Sequence, residues 1–180
     1  MWQNIFKICF LLIATTVAFC YASPRMTSLT LTLLPNEDRE HPFKKVGGKY
    51  YHFARDEEVS WFKALLTCAT MGANLASFHT LDEWQALSDH LIKYYPRKKN
   101  WWISASDLES EDDFSWYRTG ERVAYTVWSV DQPDNNDGIE NCVILWKRNN
   151  QFEMNDYDCD KIAHYICEAS KPITLVIHAT

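Results

Sequence analysis

The sequence predicts an α+β domain in which two helices precede a set of short strands. Apolar residues recur at helical spacing in two early stretches, residues 60–71 and 80–95. From residue 101 onward, short runs rich in aromatic and β-branched residues are separated by turn residues. Helices that precede a run of strands in this way are typical of the α+β class.

The first helix is predicted to run from Ser60 to Met71. The Ser60 side chain can cap its N-terminus, and Gly72 stands where a left-handed C-terminal cap is needed. The apolar face of this helix comprises Phe62, Leu65, Leu66 and Ala69.

The second helix is predicted to begin at Thr80. Thr80 and Glu83 have the spacing of a capping box, and Pro96 lies just past the expected end of the helix. Its buried stripe comprises Trp84, Leu87 and Leu91.

The strands are predicted from β propensity and turn signals. Tyr50, Tyr51 and Phe53 indicate a first strand, and Asn149-Asn150 has the composition of a hairpin turn. The long irregular segment 121–142 is expected to be functional, as long loops in compact domains often are. Later strands are predicted at residues 101–104, 114–116, 142–146, 151–154 and 164–168. The tryptophans expected in the core are Trp101, Trp102, Trp116, Trp128 and Trp146.

The N-terminus predicts a secreted chain. Lys7 precedes an apolar run that is too short to span a bilayer comfortably, and small residues near Ala22 offer a cleavage site, so residues 1–22 are predicted to be a signal peptide. Residues 23–46 are then a neck, residues 47–169 the compact domain and residues 170–180 a tail. The apolar stretch 173–177 could pair with the neck or with another chain, as in a homo-oligomer. No later run could cross a membrane, so we expect an extracellular protein without membrane insertion.

The cysteines indicate two disulfides. Cys9 and Cys20 belong to the signal peptide, which leaves an even number of cysteines for an oxidising compartment. A zinc site is disfavoured because no Cys-x-x-Cys pair is present. Three pairings remain open for Cys68, Cys142, Cys159 and Cys167.

The charge balance argues against a nucleic-acid-binding protein. The chain has 18 Lys and Arg against 24 Asp and Glu, a net charge of −6. Nucleic acid binding needs a clustered basic face. The one basic run, Arg97-Lys98-Lys99, is better explained as a solvated loop.

Two oxygen-rich stretches interrupt the apolar pattern of the strands. The first runs from Asp131 to Cys142, and the second runs from Met154 to Cys159. Ca²⁺ takes roughly six to eight oxygen ligands from carboxylates and amide carbonyls. We therefore predict a Ca²⁺ site. Its candidate ligands are Gln132, Asp134, Glu140, Asn155 and Asp156.

With these elements in order, residues 50–168 resemble the C-type lectin domain family. Trp61 to Ser77 is similar to the family's first helix and its exit. Trp102 to Ala105 stands where the family usually has Trp-Ile-Gly-Leu, and Ser104 departs from the glycine. The further matching residues are Phe114, Trp116, Gly120, Trp128, the tripeptide Gln132-Pro133-Asp134, Glu140, Cys142, Asn155, Asp156, Cys159 and Cys167.

The resemblance implies a C-type lectin-like fold, in which two helices flank short antiparallel sheets and a long loop region binds calcium. It also implies disulfides Cys68–Cys167 and Cys142–Cys159, and a cis Gln132–Pro133 bond. The candidate ligands would hold one Ca²⁺, on which a sugar places two neighbouring hydroxyls. The residues expected to contact the sugar are Gln132, Asp134, Glu140, Asn155 and, as a stacking ring, Tyr157.

The resemblance also bears on the sugar and on a second ion. The order Gln132-Pro133-Asp134 is similar to that of galactose-binding members, whereas Glu-Pro-Asn is the mannose order. Tyr157 could instead be a partly exposed surface residue. The residues that match a second, auxiliary Ca²⁺ site are Asp107, Glu111, Asn135 and Asn141. Relatives with that site have aspartates at the two asparagine positions, so we expect no high-affinity occupancy.

These features predict a secreted, Ca²⁺-dependent lectin for galactose-type glycans on cell or microbial surfaces. By resemblance, its role would be innate immune recognition or agglutination. The alternative is a protein-binding domain of the same fold that binds no sugar. No enzymatic activity is expected, because neither a nucleophile elbow nor a His-Glu-x-x-His motif is present.

Overall fold

The computed structural model describes residues 28–32, 42–97, 99–169 and 174–178. The predicted signal peptide lies outside this range. The described residues form a small unit, residues 28–32 and 174–178, and a large unit, residues 42–97 and 99–169. Within the described range, no helix is long and apolar enough to cross a membrane.

The helices and strands agree well with the predicted order. A single turn of 3-10 helix, Asn136–Gly138, lies in the long loop. The elements are β1 (Ser28–Thr32), β2 (Lys44–Val46), β3 (Lys49–Val59), α1 (Trp61–Thr70), β4 (Ala73–Leu75), α2 (Leu81–Tyr94), β5 (Trp101–Ser106), β6 (Ser115–Trp116), β7 (Cys142–Arg148), β8 (Gln151–Tyr157), β9 (Ala163–Ala169) and β10 (Thr174–His178).

The small unit is an antiparallel ribbon of β1 and β10. Its register places Leu29 opposite Ile177 and Leu31 opposite Leu175. Pairing of the tail with the neck is the first of the two alternatives that the sequence left open.

The large unit contains one sheet with the strand order β2-β3-β9-β5-β7-β8, in which β4 also pairs with β9 and β6 with β5. β5 and β9 are parallel, with Trp101 opposite His164 and Trp102 opposite Tyr165. The sheet is therefore mixed: the pairings between its other strands are antiparallel, as expected, and this one is parallel. β5 and β9 are far apart in sequence, so no hairpin turn imposes an antiparallel direction on them.

Strand β2 extends the compact domain toward the N-terminus. It pairs with β3 across a tight turn at Gly47 and Gly48, and Val46 is buried in the core. Residues 44–46, at the end of the predicted neck, therefore pair with the first strand of the predicted compact domain.

The sheet separates two hydrophobic cores, because successive side chains of a strand point to opposite faces. α2 packs on one face and α1 on the other. The first core includes Trp101, Ile103, Val143 and Leu145 of the sheet with Trp84, Leu87 and Leu91 of α2. The second core includes Trp102, Cys142 and Ile144 of the sheet with Trp61, Ala64 and Cys68 of α1.

Helix α1 begins and ends as predicted but buries a different face. The Ser60 hydroxyl accepts a hydrogen bond from the Lys63 N–H, and Gly72 adopts the left-handed conformation with φ of +67°. Phe62 and Leu66 are 44% and 65% exposed, so the predicted apolar face was wrong. The buried residues of α1 are Trp61, Ala64 and Cys68.

Helix α2 confirms the predicted buried stripe and start. The Thr80 hydroxyl accepts from the Glu83 N–H at 3.3 Å. The Glu83 carboxylate accepts from the His79 N–H at 2.8 Å, one residue before the partner expected in a capping box.

Both predicted disulfides are present. Cys68–Cys167 joins α1 to β9 across a sequence separation of 99, and Cys142–Cys159 joins the start of β7 to the loop after β8 across a separation of 17. The first closes most of the compact domain, and the second lies beside the oxygen-rich stretches.

The β7–β8 hairpin brings the two oxygen-rich stretches together. Its turn residues Asn149 and Asn150 have φ of 42° and 62°, a region that asparagine adopts more readily than most residues. Val143 lies opposite Asp156 in the resulting register. The loop before β7 and the end of β8 therefore meet at one end of the sheet.

Candidate functional site

Three carboxylates converge where this loop meets β8. One ligand oxygen each of Asp134, Glu140 and Asp156 lies within 4.8 Å of the others. Asp156 is only 1% exposed, whereas Asp134 is exposed. Like charges held this close are unfavourable unless protons or a cation neutralise them. The cluster, which the sequence predicted, could hold a metal ion.

Asp156 also fixes the loop in place. Its two carboxylate oxygens accept hydrogen bonds from the backbone N–H groups of Asp134 and Asn135, at 3.2 and 2.7 Å. Asn135 and Asp137 adopt positive φ of 41° and 58°, which Asn and Asp tolerate better than most residues. The Gln132–Pro133 bond is cis, as the resemblance implied.

Glu140 is held by the opposite side of the same loop. Its carboxylate accepts from the Asn136 N–H at 3.3 Å. Its own N–H donates to the Asn135 side-chain oxygen at 3.1 Å. The loop therefore folds around Glu140, which is half-buried.

The two predicted amide ligands are a partly buried residue, Gln132, and a buried one, Asn155. Within the described part of the chain, the Gln132 side-chain oxygen is buried and lacks a hydrogen-bond partner. Such an oxygen is costly unless something pairs with it, and a metal ion would do so. Asn155 is 4% exposed and directly precedes Asp156 on β8. Three carboxylates and two amide oxygens are a donor set suited to a hard cation.

The pKa values of the site's carboxyl groups reflect this crowding. Burial, followed by the neighbouring charges of Asp156 and Asp134, raises the pKa of Glu140 to about 7. Burial also raises the pKa of Asp156, although the N–H groups of Asn135 and Asp134 oppose the shift. Without a cation, the site therefore holds protons at mildly acid pH.

Tyr157, the predicted stacking residue, has a packing role in the structure. Its ring centroid lies 5.7 Å from that of Trp102, and it packs against the second core. This contact accounts for its half-buried position, and its role toward a sugar stays a prediction. Two apolar loop residues that sequence reasoning missed, Val130 and Ile139, are 83% and 50% exposed. These two residues could have been noticed in the sequence, because they are apolar side chains within a polar loop.

The four residues predicted for an auxiliary ion form two hydrogen-bonded pairs. The Asp107 N–H donates to the Asn141 carbonyl at 3.2 Å, and the Asn135 side chain donates to Glu111 at 2.6 Å. Asp107 is 2% exposed, and burial raises its pKa. One of its carboxylate oxygens lacks a hydrogen-bond partner within the described residues. Asn135 therefore links the acidic loop to the loop that contains Glu140.

Comparison with known proteins identifies the family. The family described as the lectin C-type domain matches residues 57–169. The chain belongs to the C-type lectin domain family. C-type lectin 37Da of Drosophila melanogaster is 32% identical over 143 residues, which cover 76% of each chain. Perlucin of Haliotis laevigata is 36% identical over 125 residues, which cover 67% of this chain and 77% of perlucin.

A solved C-type lectin structure shows the same fold. The carbohydrate-recognition domain of the mouse scavenger receptor C-type lectin matches with a TM-score of 0.62 and 31% identity, over 72% of this chain and 94% of that domain. The C-type lectin fold, with two helices, a mixed sheet and two disulfides, is thus confirmed. Membership of this non-enzymatic family also confirms that no enzyme is to be expected.

Proposed function

We propose that this C-type lectin homologue is a secreted, calcium-dependent lectin for galactose-type glycans. The observation that carries the proposal is the convergence of Asp134, Glu140 and Asp156 within 4.8 Å. The unpartnered, buried oxygen of Gln132 supports it, as does the lectin identity of the relatives. The proposed Ca²⁺ ligands are Gln132, Asp134, Glu140, Asn155 and Asp156.

The side chains of the site would bind both the metal ion and the sugar. The three carboxylates offset the charge of Ca²⁺, and the amide oxygens of Gln132 and Asn155 complete a set of oxygen donors. The bound ion would supply coordination for two neighbouring sugar hydroxyls. Asp134 and Glu140 would accept hydrogen bonds from those hydroxyls, and bonds to ionised acceptors are the stronger kind. Gln132 would donate through its amide N–H₂.

The exposure of this site affects its affinity for a sugar and the biological role that it could have. Asp134 is exposed, so a single site should bind a sugar weakly, and useful avidity would need several sites on one particle. Agglutination of cells or microbes in innate immunity would use such multivalent contact. The two disulfides support an oxidising, extracellular location. Secretion through a signal peptide at residues 1–22 is part of the proposal.

The auxiliary site is proposed to bind Ca²⁺ weakly. Asp107 and Glu111 provide carboxylates, but Asn135 and Asn141 contribute no negative charge. The Asn135 side chain already bonds to Glu111 and to the Glu140 N–H. Fewer charged ligands lower the affinity of a calcium site.

Exchanging the acid and the amide of the tripeptide is expected to move the sugar preference from galactose to mannose. Gln132→Glu with Asp134→Asn keeps the net charge and the number of oxygen ligands but reverses the donor and acceptor order. We expect the galactose-to-mannose ratio of affinities to fall at least about tenfold, since each misplaced hydrogen bond costs ~1 kcal/mol or more. Competition by free galactose and mannose against an immobilised galactoside measures this ratio.

The control for this exchange lies on α2. Gln85 donates to Asp89 at 3.0 Å, so Gln85→Glu with Asp89→Asn makes the same exchange far along the chain and should leave the ratio unchanged. If the tripeptide variant keeps the original sugar ranking, the galactose assignment is wrong.

Calcium affinity is expected to rise with pH through neutrality. The raised pKa values of Glu140 and Asp156 mean that both groups hold protons on the acid side, and Ca²⁺ must displace these protons. Binding therefore strengthens as pH rises and weakens as pH falls. Calorimetric titrations at about pH 5.5 and about pH 8, in buffers with different ionisation enthalpies, measure the affinity and the protons released. Equal affinities without proton release would contradict the expectation.

A further inference from the structure

A groove that contains several cations lies near the C-terminus of α2. The volume of the groove is about 320 Å³. Arg55 comes from β3, and Arg97 and Lys99 come from the loop between α2 and β5. Arg97 and Lys99 belong to the basic run predicted to be a solvated loop, and Arg55 joins them from a distant part of the chain.

The groove and the acidic cluster lie at opposite ends of the same strands. β5 begins just after Lys99 and ends just before Asp107. β7 is antiparallel to β5 and begins beside Glu140. Six residues of β strand span ~20 Å. The groove is therefore separate from the proposed calcium site.

Hydrogen bonds hold two ammonium groups at the groove. Lys99 Nζ donates to the Arg55 carbonyl at 3.3 Å, and Lys147 Nζ donates to the Pro96 carbonyl at 3.1 Å. Each ammonium has three N–H donors, so these bonds leave donors for an anion. The Lys93 Nζ lies 5.2 Å from the centroid of the Tyr94 ring. Three cations, Arg55, Arg97 and Lys99, thus line the groove, and Lys147 and Lys93 each contact a residue that lines it.

The acidic residues near the groove neutralise these cations only weakly. Among the described lining residues, Asp56 is the one acid, and it contacts Arg55 at 3.5 Å with both side chains mostly exposed. Exposed pairs of this kind contribute little, and an anion can replace them. Glu57 hydrogen-bonds to Tyr165, and Glu58 lies 3.0 Å from His164 Nε2.

The arrangement fits a polymer with repeated single negative charges. The cations reach the groove from two separate elements, β3 and the loop before β5, whereas a compact phosphate is bound by several donors that converge on one point. Tyr94 is 54% exposed, so the part of its ring that His90 and Lys93 do not cover is available to a sugar ring. The disulfides indicate an extracellular chain, where sulfated polysaccharides are abundant polyanions. We propose that the groove formed by Arg55, Tyr94, Arg97 and Lys99 binds sulfated polysaccharide without calcium.

Retention of the mature chain on heparin at about 0.05 M NaCl tests this proposal. We expect retention that EDTA does not change, and loss of retention on chemically desulfated heparin, which keeps its carboxylates. The variant Arg55→Gln, Arg97→Gln, Lys99→Gln should bind heparin at least about tenfold more weakly. Its binding to galactose resin with calcium should be unchanged, which separates this proposal from the proposed lectin function.

The control variant removes the same charge elsewhere. Lys63→Gln, Arg122→Gln and Lys161→Gln replace exposed cations and should leave heparin binding within about twofold. The single variant Arg97→Gln, at an exposed loop position, keeps the test valid if the triple variant misfolds. It should show part of the loss of heparin binding.

Three results would overturn the proposal. The first is no retention of the wild-type chain on heparin. The second is equal weakening by the groove and control variants, which would indicate simple ion exchange. The third is binding to polyglutamate or oligothymidylate as tight as binding to heparin, which would indicate an acidic peptide or a nucleic acid as the occupant.

Discussion

Asp156→Asn is expected to abolish calcium-dependent glycan binding. Asp156 is 1% exposed and accepts the N–H groups of Asp134 and Asn135 at 3.2 and 2.7 Å. Asparagine has nearly the same shape but only one acceptor oxygen, so its N–H₂ group would face one of these donors. The substitution therefore removes a ligand charge and loosens the loop that contains Asp134.

We expect the calcium affinity of Asp156→Asn to fall by about 100-fold or more, because both a ligand and the support of a second ligand are lost. Calorimetric titration with Ca²⁺ and retention on galactose resin measure the two effects. Asp160→Asn, an exposed position close along the chain, makes the same change in charge and should bind normally. Wild-type calcium affinity in Asp156→Asn would contradict the ligand assignment.

Removal of Cys68–Cys167 is expected to cost more stability, whereas removal of Cys142–Cys159 is expected to cost more calcium affinity. Cys68–Cys167 spans a separation of 99 and Cys142–Cys159 a separation of 17. In the chain-entropy model these loops contribute ~4.7 and ~3 kcal/mol to the free energy of unfolding. The Cys142–Cys159 disulfide, however, links the start of β7, which is next to Glu140, to the segment just after Asp156.

Replacing each pair of cysteines by alanine separates these roles. In urea unfolding with EDTA, the Cys68/Cys167 variant should lose more free energy of unfolding. In calcium titration of the folded proteins, the Cys142/Cys159 variant should lose more affinity. The variants control for each other, since each removes one disulfide. A larger loss of calcium affinity on removal of Cys68–Cys167 would contradict the proposed position of the site.

Local chemistry made much of the fold predictable from the sequence. Ser60 and Thr80 cap their helices as predicted because capping depends on a side chain and an N–H three residues away. Asn149 and Asn150 form the predicted hairpin turn for a similarly local reason. The carboxylates of the site were recognisable because charged oxygens in a loop of an apolar domain have no packing role.

Features that depend on distant partners were less predictable. α1 has apolar residues on more than one side, and the stripe that enters the core is the one that places Cys68 against β9. The parallel pairing of β5 with β9 likewise has no local signal. The sequence showed Arg97 and Lys99 as a basic run, but the addition of Arg55 follows only from the fold.

Retention of the purified mature protein on immobilised galactose and mannose, first with calcium and then with EDTA, tests the central proposal most directly. We expect the protein to be retained on galactose in calcium and released by EDTA, with weaker retention on mannose. Absence of retention on both sugars, with calcium present and both disulfides intact, would contradict the proposal and favour a protein-binding role for this C-type lectin domain.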